Sequence, residues 1–211
     1  MPVAITRRRF LQTAGLGLSA GVIACAGLTI LAAQPPALTF FETSGDLPMT
    51  EKILIAYASK CGSTGEVAQA LAAELTARGR AVDVRLAGRV TDVAEYQAVL
   101  VGSAIRMGQW LPEALRFVER HQAQLRRLPT AFFTVHMLNT GDEAASRQAR
   151  AAYLDGVHRI MTAPAEVFFA GKMELAKLSF LDRLIAQAVK AQDEDKRDWG
   201  AIRAWAQALW A

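Results

Sequence analysis

Apolar residues recur along this chain in two rhythms. Short, nearly continuous runs occur at Ile53–Tyr57, Ala98–Gly102, Thr130–His136 and Glu166–Gly171, the pattern of strands buried on both faces of a parallel sheet. Ala81–Leu86 instead alternates, which predicts a strand near the sheet's edge. Between these runs lie segments of helical period at about Thr64–Arg78, Pro112–Arg127, Glu143–Met161 and Asp198–Leu209. Gly79 stops the first and Pro112 opens the second. Strands alternating with helices predict an α/β fold built on a doubly wound parallel sheet. One further stretch, Lys172–Lys190, sets Leu175, Leu178, Leu181, Ile185 and Val189 near one face and leaves Lys172, Lys177, Arg183 and Lys190 for the other. It predicts a basic amphipathic helix inserted before the last helix, suited to covering the domain's own core or to lying on a membrane surface.

The N-terminus follows a different pattern. Phe10 to Ala33 carries no charge and is long enough to cross a bilayer, which takes about 20 residues. Ahead of it stands Thr6-Arg7-Arg8-Arg9-Phe10-Leu11-Gln12, which resembles the twin-arginine export motif except at Gln12. Residues 1–33 are therefore expected to be an apolar signal or anchor helix, addressed to the twin-arginine translocase. Its fate stays open between an uncleaved anchor, cleavage near Ala33, and lipidation at Cys25 in a lipobox-like Val22-Ile23-Ala24-Cys25. A plain basic signal for general secretion is the alternative. In each case the folded domain is exported and ends membrane-anchored or periplasmic. Gln34–Thr50, with three prolines, reads as a linker, and the domain is expected over residues 51–211.

Charge and cysteine usage narrow the partners. Without Arg7, Arg8 and Arg9 the 24 basic side chains fall to 21, against 20 acidic, so the exported part is nearly neutral. With no basic stripe interleaved with aromatics, nucleic acid is not an expected partner. Of the two cysteines, Cys25 lies in the apolar segment and Cys61 in a polar loop. They are not expected to pair, and no metal site is expected.

The chemistry concentrates after the first strand, in Ser59-Lys60-Cys61-Gly62-Ser63-Thr64-Gly65. A polar loop between a strand and a helix presents successive backbone N–H groups, hydroxyls at Ser59, Ser63 and Thr64, and the unpaired N–H groups of the helix's first turn, which together suit a phosphate group. Lys60 can add charge. Cys61 reads either as a small residue shaping the loop or as a reactive thiol. Neither Gly-x-x-x-x-Gly-Lys-Ser/Thr nor Gly-x-Gly-x-x-Gly is present here.

The spacing of Tyr57, Ser59, Gly62, Thr64, Ala68 and Leu71 resembles the flavodoxin signature, with Ala56 smaller than the usual aliphatic. That resemblance implies a five-stranded flavodoxin-like sheet of order 2-1-3-4-5 and FMN at the switch between the first and third strands. The loop at 59–64 would hold its phosphate. Stretches 103–110 and 136–142 would flank the ring, with Trp110 or Met107 stacking on it. Backbone groups of Ala104, Ile105, Arg106, Met107 and Gly108, and of Val135, His136, Met137, Leu138 and Asn139, would meet its polar edge. His136 is the one candidate for a catalytic role, through its charge or by contact with substrate; His121 and His158 read as structural.

A narrower resemblance follows. Val101-Gly102-Ser103-Ala104-Ile105-Arg106-Met107-Gly108 is similar to the Gly-Ala-Ser-Ile-Arg-Tyr-Gly segment of menaquinone-dependent protoporphyrinogen IX dehydrogenases. Phe117-Val118, Leu128–Phe133, Ala170-Gly171, Asp182-Arg183 and Asp198-Trp199 follow in order. The family implies oxidation of a lipophilic porphyrinogen with FMN as hydride acceptor and menaquinone as the final acceptor. Alternatives are an exported flavodoxin-type electron carrier, a nicotinamide-dependent quinone or flavin reductase, and an interaction module without FMN.

Replacing Arg7 and Arg8 by lysine is expected to hold a folded, flavin-loaded domain in the cytoplasm, because the translocase reads the arginine pair as an address. Cell fractionation checks this. Unchanged export, or export lost only when the general secretory channel is inhibited, overturns the twin-arginine reading.

Overall fold

The computed structural model describes residues 41–44, 52–179, 183–184 and 192–210. The N-terminal segment 1–33 lies outside them, and among the described residues no helix is long and apolar enough to cross a membrane. The folded unit comprises Leu38–Ala176 and Gln192–Ala211. Its elements are β1 (Lys52–Ala58), α1 (Ser63–Ala77), β2 (Ala81–Leu86), β3 (Ala98–Arg106), β4 (Gln109–Trp110), α2 (Pro112–Leu125) and β5 (Thr130–His136). They continue with α3 (Ala144–Ala152), α4 (Asp155–His158), β6 (Ala165–Ala170), β7 (Lys172–Met173), β8 (Glu194–Asp195) and α5 (Trp199–Ala208).

The order β2-β1-β3-β5-β6, with all these neighbours parallel, is the expected 2-1-3-4-5 once β4 is set aside as an antiparallel extension of β3. Side chains alternate across the sheet. Ile53, Ile55 and Tyr57 of β1 pack with Val67, Leu71 and Leu75 of α1 and Ile202 of α5, whereas Leu54, Ala56 and Ala58 pack with Phe117 and Val118 of α2 and with Val157. Each central strand is thus apolar on both faces, which explains its unbroken apolar run. Gly102 is required in β3, since a Cβ there would lie 1.9 Å from the Phe133 ring.

Four elements differ from the sequence expectation. The linker contributes to the fold: Thr43 exchanges backbone hydrogen bonds with Val84 (3.1 and 3.0 Å), covering the outer edge of β2 so that its N–H and C=O groups are not left unpaired there. Tyr57 Oη donates to the Phe41 carbonyl at 3.1 Å, Glu42 pairs with Arg89 at 2.6 Å, and Arg85 reaches Ser44 Oγ at 3.1 Å. Burial pushes the Tyr57 phenol up to about 12.

Second, the stretch 103–110 is a β-hairpin rather than a loop. Its two-residue turn, Met107-Gly108, has φ of 52° and 76°, the pair of left-handed residues that matches the twist of flanking strands. Gly108 adopts this freely, while Met107 holds it at a cost of about 1–2 kcal/mol. Third, the single helix expected over Glu143–Met161 is broken between α3 and α4, where the turn buries both Tyr153 and Leu154. Fourth, Lys172–Met173 is not helical: it pairs antiparallel with Glu194–Asp195, and Leu175–Lys177 is one 3-10 turn. Of the rest of the expected amphipathic helix, only 174, 178–179 and 183–184 are described.

The edge of the sheet also holds a fully buried carboxylate. Asp83 on β2 accepts from Lys52 (3.0 Å), Arg85 (3.1 Å) and the Tyr96 hydroxyl (2.8 Å), enough partners for a charge that could not remain ionised there alone.

Candidate functional site

The sequence-predicted site residues gather at the carboxyl ends of β1, β3 and β5, in the last residues of β3 and β5, the β3–β4 hairpin, the loops after β1 and β5, and the first turn of α1. A parallel sheet whose order reverses beside β1 leaves a crevice there between β1 and β3. The cleft of about 200 Å³ bounded by Ile53, Leu75, Arg80, Gln97 and Trp210 is at the opposite ends of the strands and plays no part in this site.

The loop after β1 is built on itself. Ser59 Oγ accepts from the Gly62 N–H at 3.0 Å, and Gly62 takes the left-handed conformation (φ 88°) needed to turn the chain into α1. No side chain caps α1, so capping groups do not satisfy the N–H donors of its first turn. Within that turn, Thr64 is fully buried and its Oγ1 has no hydrogen-bond partner. Ser63 Oγ accepts from the Lys172 N–H at 2.9 Å, leaving its own proton to be donated elsewhere. Gly65 lies against Tyr57: a Cβ would stand 3.0 Å from the phenol, so the helix start can sit directly over the strand end.

Charge is balanced around this loop. Lys60 pairs with Glu113 of α2 at 3.1 Å, so the charge it brings to the loop is compensated. Burial pushes the Glu113 carboxyl up, but its own N–H and Lys60 outweigh this and hold it below the usual range. Arg197 contacts Glu66 of α1 and grips Asp195 through two nitrogens (2.8 and 2.6 Å), which draws the Asp195 carboxyl down to about 2. Cys61 is half-buried on the loop.

On the β3–β4 hairpin, Trp110 is not at an open rim. It is 2% exposed, meets Phe132 edge-on at 5.2 Å between centroids, and donates from Nε1 to Thr134 Oγ1 at 2.9 Å. An indole carrying one donor settles where that donor finds a partner, so Trp110 belongs to the core and not to a ring-stacking position. Ser103 Oγ accepts from the Leu111 N–H at 2.9 Å, closing the hairpin's base. Ala104 and Ile105 are half-buried, Arg106 pairs with Gln109, and Met107 and Gly108 form the tip. Met107 is 87% exposed.

After β5, Val135 is a core residue and Met137 is half-buried. His136 is buried against Tyr153 and Phe168, and its Nδ1–H donates to the Leu138 carbonyl at 2.7 Å. Burial pushes its pKa down, against the hydrogen bond, and nearby Arg150 adds to the effect. Burial thus favours the neutral imidazole, whose Nε2 lone pair is its remaining polar function. Asn139 takes φ of 60°, which asparagine tolerates, and donates to Tyr153 Oη at 2.7 Å. Arg150 donates to the carbonyls of Asn139 and Gly141. With so many polar groups turned inward, Leu138 projects outward, 74% exposed.

Sequence reasoning missed Tyr153 and Arg150, which set this loop, and Arg197. An asparagine just after a strand, a residue that tolerates the left-handed conformation, was the available signal for the first two; nothing local marked the third.

A family model described as a flavodoxin domain matches residues 54–199. The chain belongs to this flavodoxin-domain family. The protein named protoporphyrinogen IX dehydrogenase (quinone) from Leishmania major is 27% identical over 169 residues, covering 74% of this chain and 73% of that protein. Its namesake from Escherichia coli (strain K12) is 31% identical over 99 residues, 46% of this chain and 55% of that protein. The match thus spans about half the length of the latter. A solved flavodoxin from the domain Archaea superposes with a TM-score of 0.47 at 14% identity, covering 75% of this chain and 95% of that one.

His136 should titrate with a midpoint below 6.5 in NMR spectra of the folded protein, since burial disfavours its charged form. The unfolded chain then binds more protons below pH 6.5, so stability present above that pH should fall on acidification toward the folded value. Urea unfolding between pH 7.5 and 5 should show a shallower fall in His136→Gln.

Proposed function

We propose that this flavodoxin-domain protein is an FMN-dependent oxidoreductase that passes electrons from a reduced porphyrinogen-type substrate to a quinone. The observation that carries the cofactor is the Thr64 hydroxyl: fully buried, without a partner, and set in the first turn of an uncapped helix. A buried, unpaired polar atom costs about 1–3 kcal/mol, a cost that a bound oxyanion would offset. The residues present fit a phosphate monoester: N–H groups of residues 63–65, hydroxyls of Ser59, Ser63 and Thr64, and a left-handed Gly62 that clears the approach. When bound, FMN supplies the hydride-accepting ring.

The chain's own residues would bind and shield. The β1–α1 loop would orient the phosphate end, while the β3–β4 hairpin tip and the 137–142 loop offer backbone groups beside apolar Met107 and Leu138, which would exclude water and favour a lipophilic partner. Neutral His136 could accept a proton at Nε2. Support for the substrate and acceptor comes from the two relatives, both named as quinone-linked protoporphyrinogen IX dehydrogenases. Export by the twin-arginine route remains part of the proposal, because that route carries folded proteins and so would deliver a domain already loaded with cofactor.

Thr64→Val keeps the side chain's shape and removes the hydroxyl. A charge-assisted hydrogen bond is worth about 1.5–3 kcal/mol, so FMN affinity should fall about 10–100-fold, while the flavin-free protein should unfold no more easily than before. Flavin fluorescence titration and urea unfolding measure the two. The protein should also be yellow when purified, bleached by porphyrinogen and recoloured by a menaquinone analogue. A colourless protein that takes up no FMN ends the cofactor proposal; a yellow one that porphyrinogen does not bleach ends the substrate proposal alone.

The insertion is proposed to dock on a membrane surface. The full chain's domain, freed of residues 1–40, is expected to sediment with anionic vesicles, with roughly 1 kcal/mol per basic residue near the surface, and to be released by salt. Lys177→Glu with Arg183→Glu should weaken this binding and quinone turnover together, leaving flavin content unchanged. Full turnover in the double variant would remove the membrane from the mechanism.

A further inference from the structure

The short ribbon of β7 and β8 is fastened to the phosphate loop at two points. From β7, the Lys172 N–H donates to Ser63 Oγ at the first position of α1. From just beyond β8, Arg197 joins Asp195 of the ribbon to Glu66, one turn further along the same helix. The arginine side chain is only 5% exposed, and its guanidinium lies over the Trp199 ring at 4.5 Å. Gly171, which leads into β7, passes so close that a Cβ would lie 2.9 Å from Val135 and 3.4 Å from Ser63 Oγ; its N–H donates to the His136 carbonyl at 2.7 Å. The ribbon therefore has no slack at its base.

These contacts bear on what Ser63 can do. A serine hydroxyl has one proton and two lone pairs. With one lone pair engaged by Lys172, the proton is turned away from the ribbon, and the hydroxyl is set as a donor before any ligand arrives. Glu66 works in the opposite sense, as a carboxylate within the helix turn that would receive a dianion, and Arg197 neutralises it.

We propose that the β7–β8 ribbon is a latch on the phosphate loop, with Arg197 as the positioning residue that seats it, so that ribbon docking and phosphate binding strengthen each other. The proposal rests on the FMN reading above. The coupling is reciprocal, as any linkage between two binding events must be: phosphate at the loop tightens the ribbon, and whatever loosens the ribbon loosens the phosphate.

The test compares FMN with riboflavin, which has the same ring and no phosphate, on the full chain stripped of flavin. Arg197→Ala should weaken FMN about tenfold and leave riboflavin unchanged, and Ser63→Ala should do the same. The double variant should lose little more than either alone, because both loosen the same ribbon. Arg197→Lys should not restore affinity, since an ammonium cannot hold Asp195 with two nitrogens and Glu66 with a third. In the unmutated protein, FMN should slow hydrogen exchange at the Lys172 amide about tenfold, and riboflavin should not; this measurement decides the matter if Arg197→Ala fails to fold. Equal loss of both flavins, losses that multiply to about a hundredfold in the double variant, or unchanged exchange at Lys172 with FMN overturns the latch while leaving FMN binding intact. If the unmutated chain binds FMN no more tightly than riboflavin, the phosphate reading falls and the latch falls with it.

Discussion

A hydroxyl buried without a partner is the constraint on which the rest of this structure depends. Thr64 Oγ1 has no protein group to bond, at the point where α1 begins without a capping side chain. Helix starts are usually satisfied by Ser, Thr, Asp or Asn at the cap. Here Gly62 occupies the cap, and the nearby serines are committed otherwise, Ser59 to Gly62 and Ser63 to Lys172. The local sequence thus gives up helix stability to keep a cluster of donors unanswered. Such a cluster is tolerated only because the sheet beneath is rigid: Tyr57 wedges under Gly65, and the apolar faces of β1, α1 and α5 close around it.

That rigidity extends to the outer edge. Tyr57 is buried at the end of β1, and its hydroxyl reaches the carbonyl of Phe41, so one side chain links the helix start to the strand-like segment covering β2. Asp83, ringed by Lys52, Arg85 and Tyr96, holds the first strand to the second from the opposite face of the sheet. A buried carboxylate with three donors contributes less to net stability than an apolar core would, but it tolerates only one arrangement of its neighbours. The edge strand and the segment pairing with it are thereby fixed in register.

The strands, their order and the phosphate loop were legible because each depends on local pattern: unbroken apolar runs, the helix-stopping Gly79, and hydroxyls spaced around Gly62. What was not legible depends on contacts between distant residues or on elements too short to have a period. The hairpin at Met107-Gly108 lacks the Asn-Gly signal that announces such turns, so 103–110 read as a loop and Trp110 as a ring-stacking candidate. Strands of two residues, β7 and β8, cannot alternate visibly, so Lys172 was assigned to a helix. Phe41–Ser44 followed two prolines and looked like a tether. The break between α3 and α4 falls where Tyr153 and Leu154 both turn inward, a tertiary demand overriding a continuous helical pattern.

The balance of charge at the site bears on how it recognises an anion. Lys60 is answered by Glu113, and Arg197 by Asp195 and Glu66. The groups left to meet a phosphate are neutral donors, N–H and O–H, whose strength depends on being aimed and dry rather than on net charge. Recognition of this kind is less sensitive to salt than a cluster of lysines would be, and it demands that each donor be held in place before the ligand arrives. That demand explains why so much of the chain beyond the loop, from Tyr57 beneath it to the β7–β8 ribbon beside it, is occupied with fixing a few hydroxyls and amides.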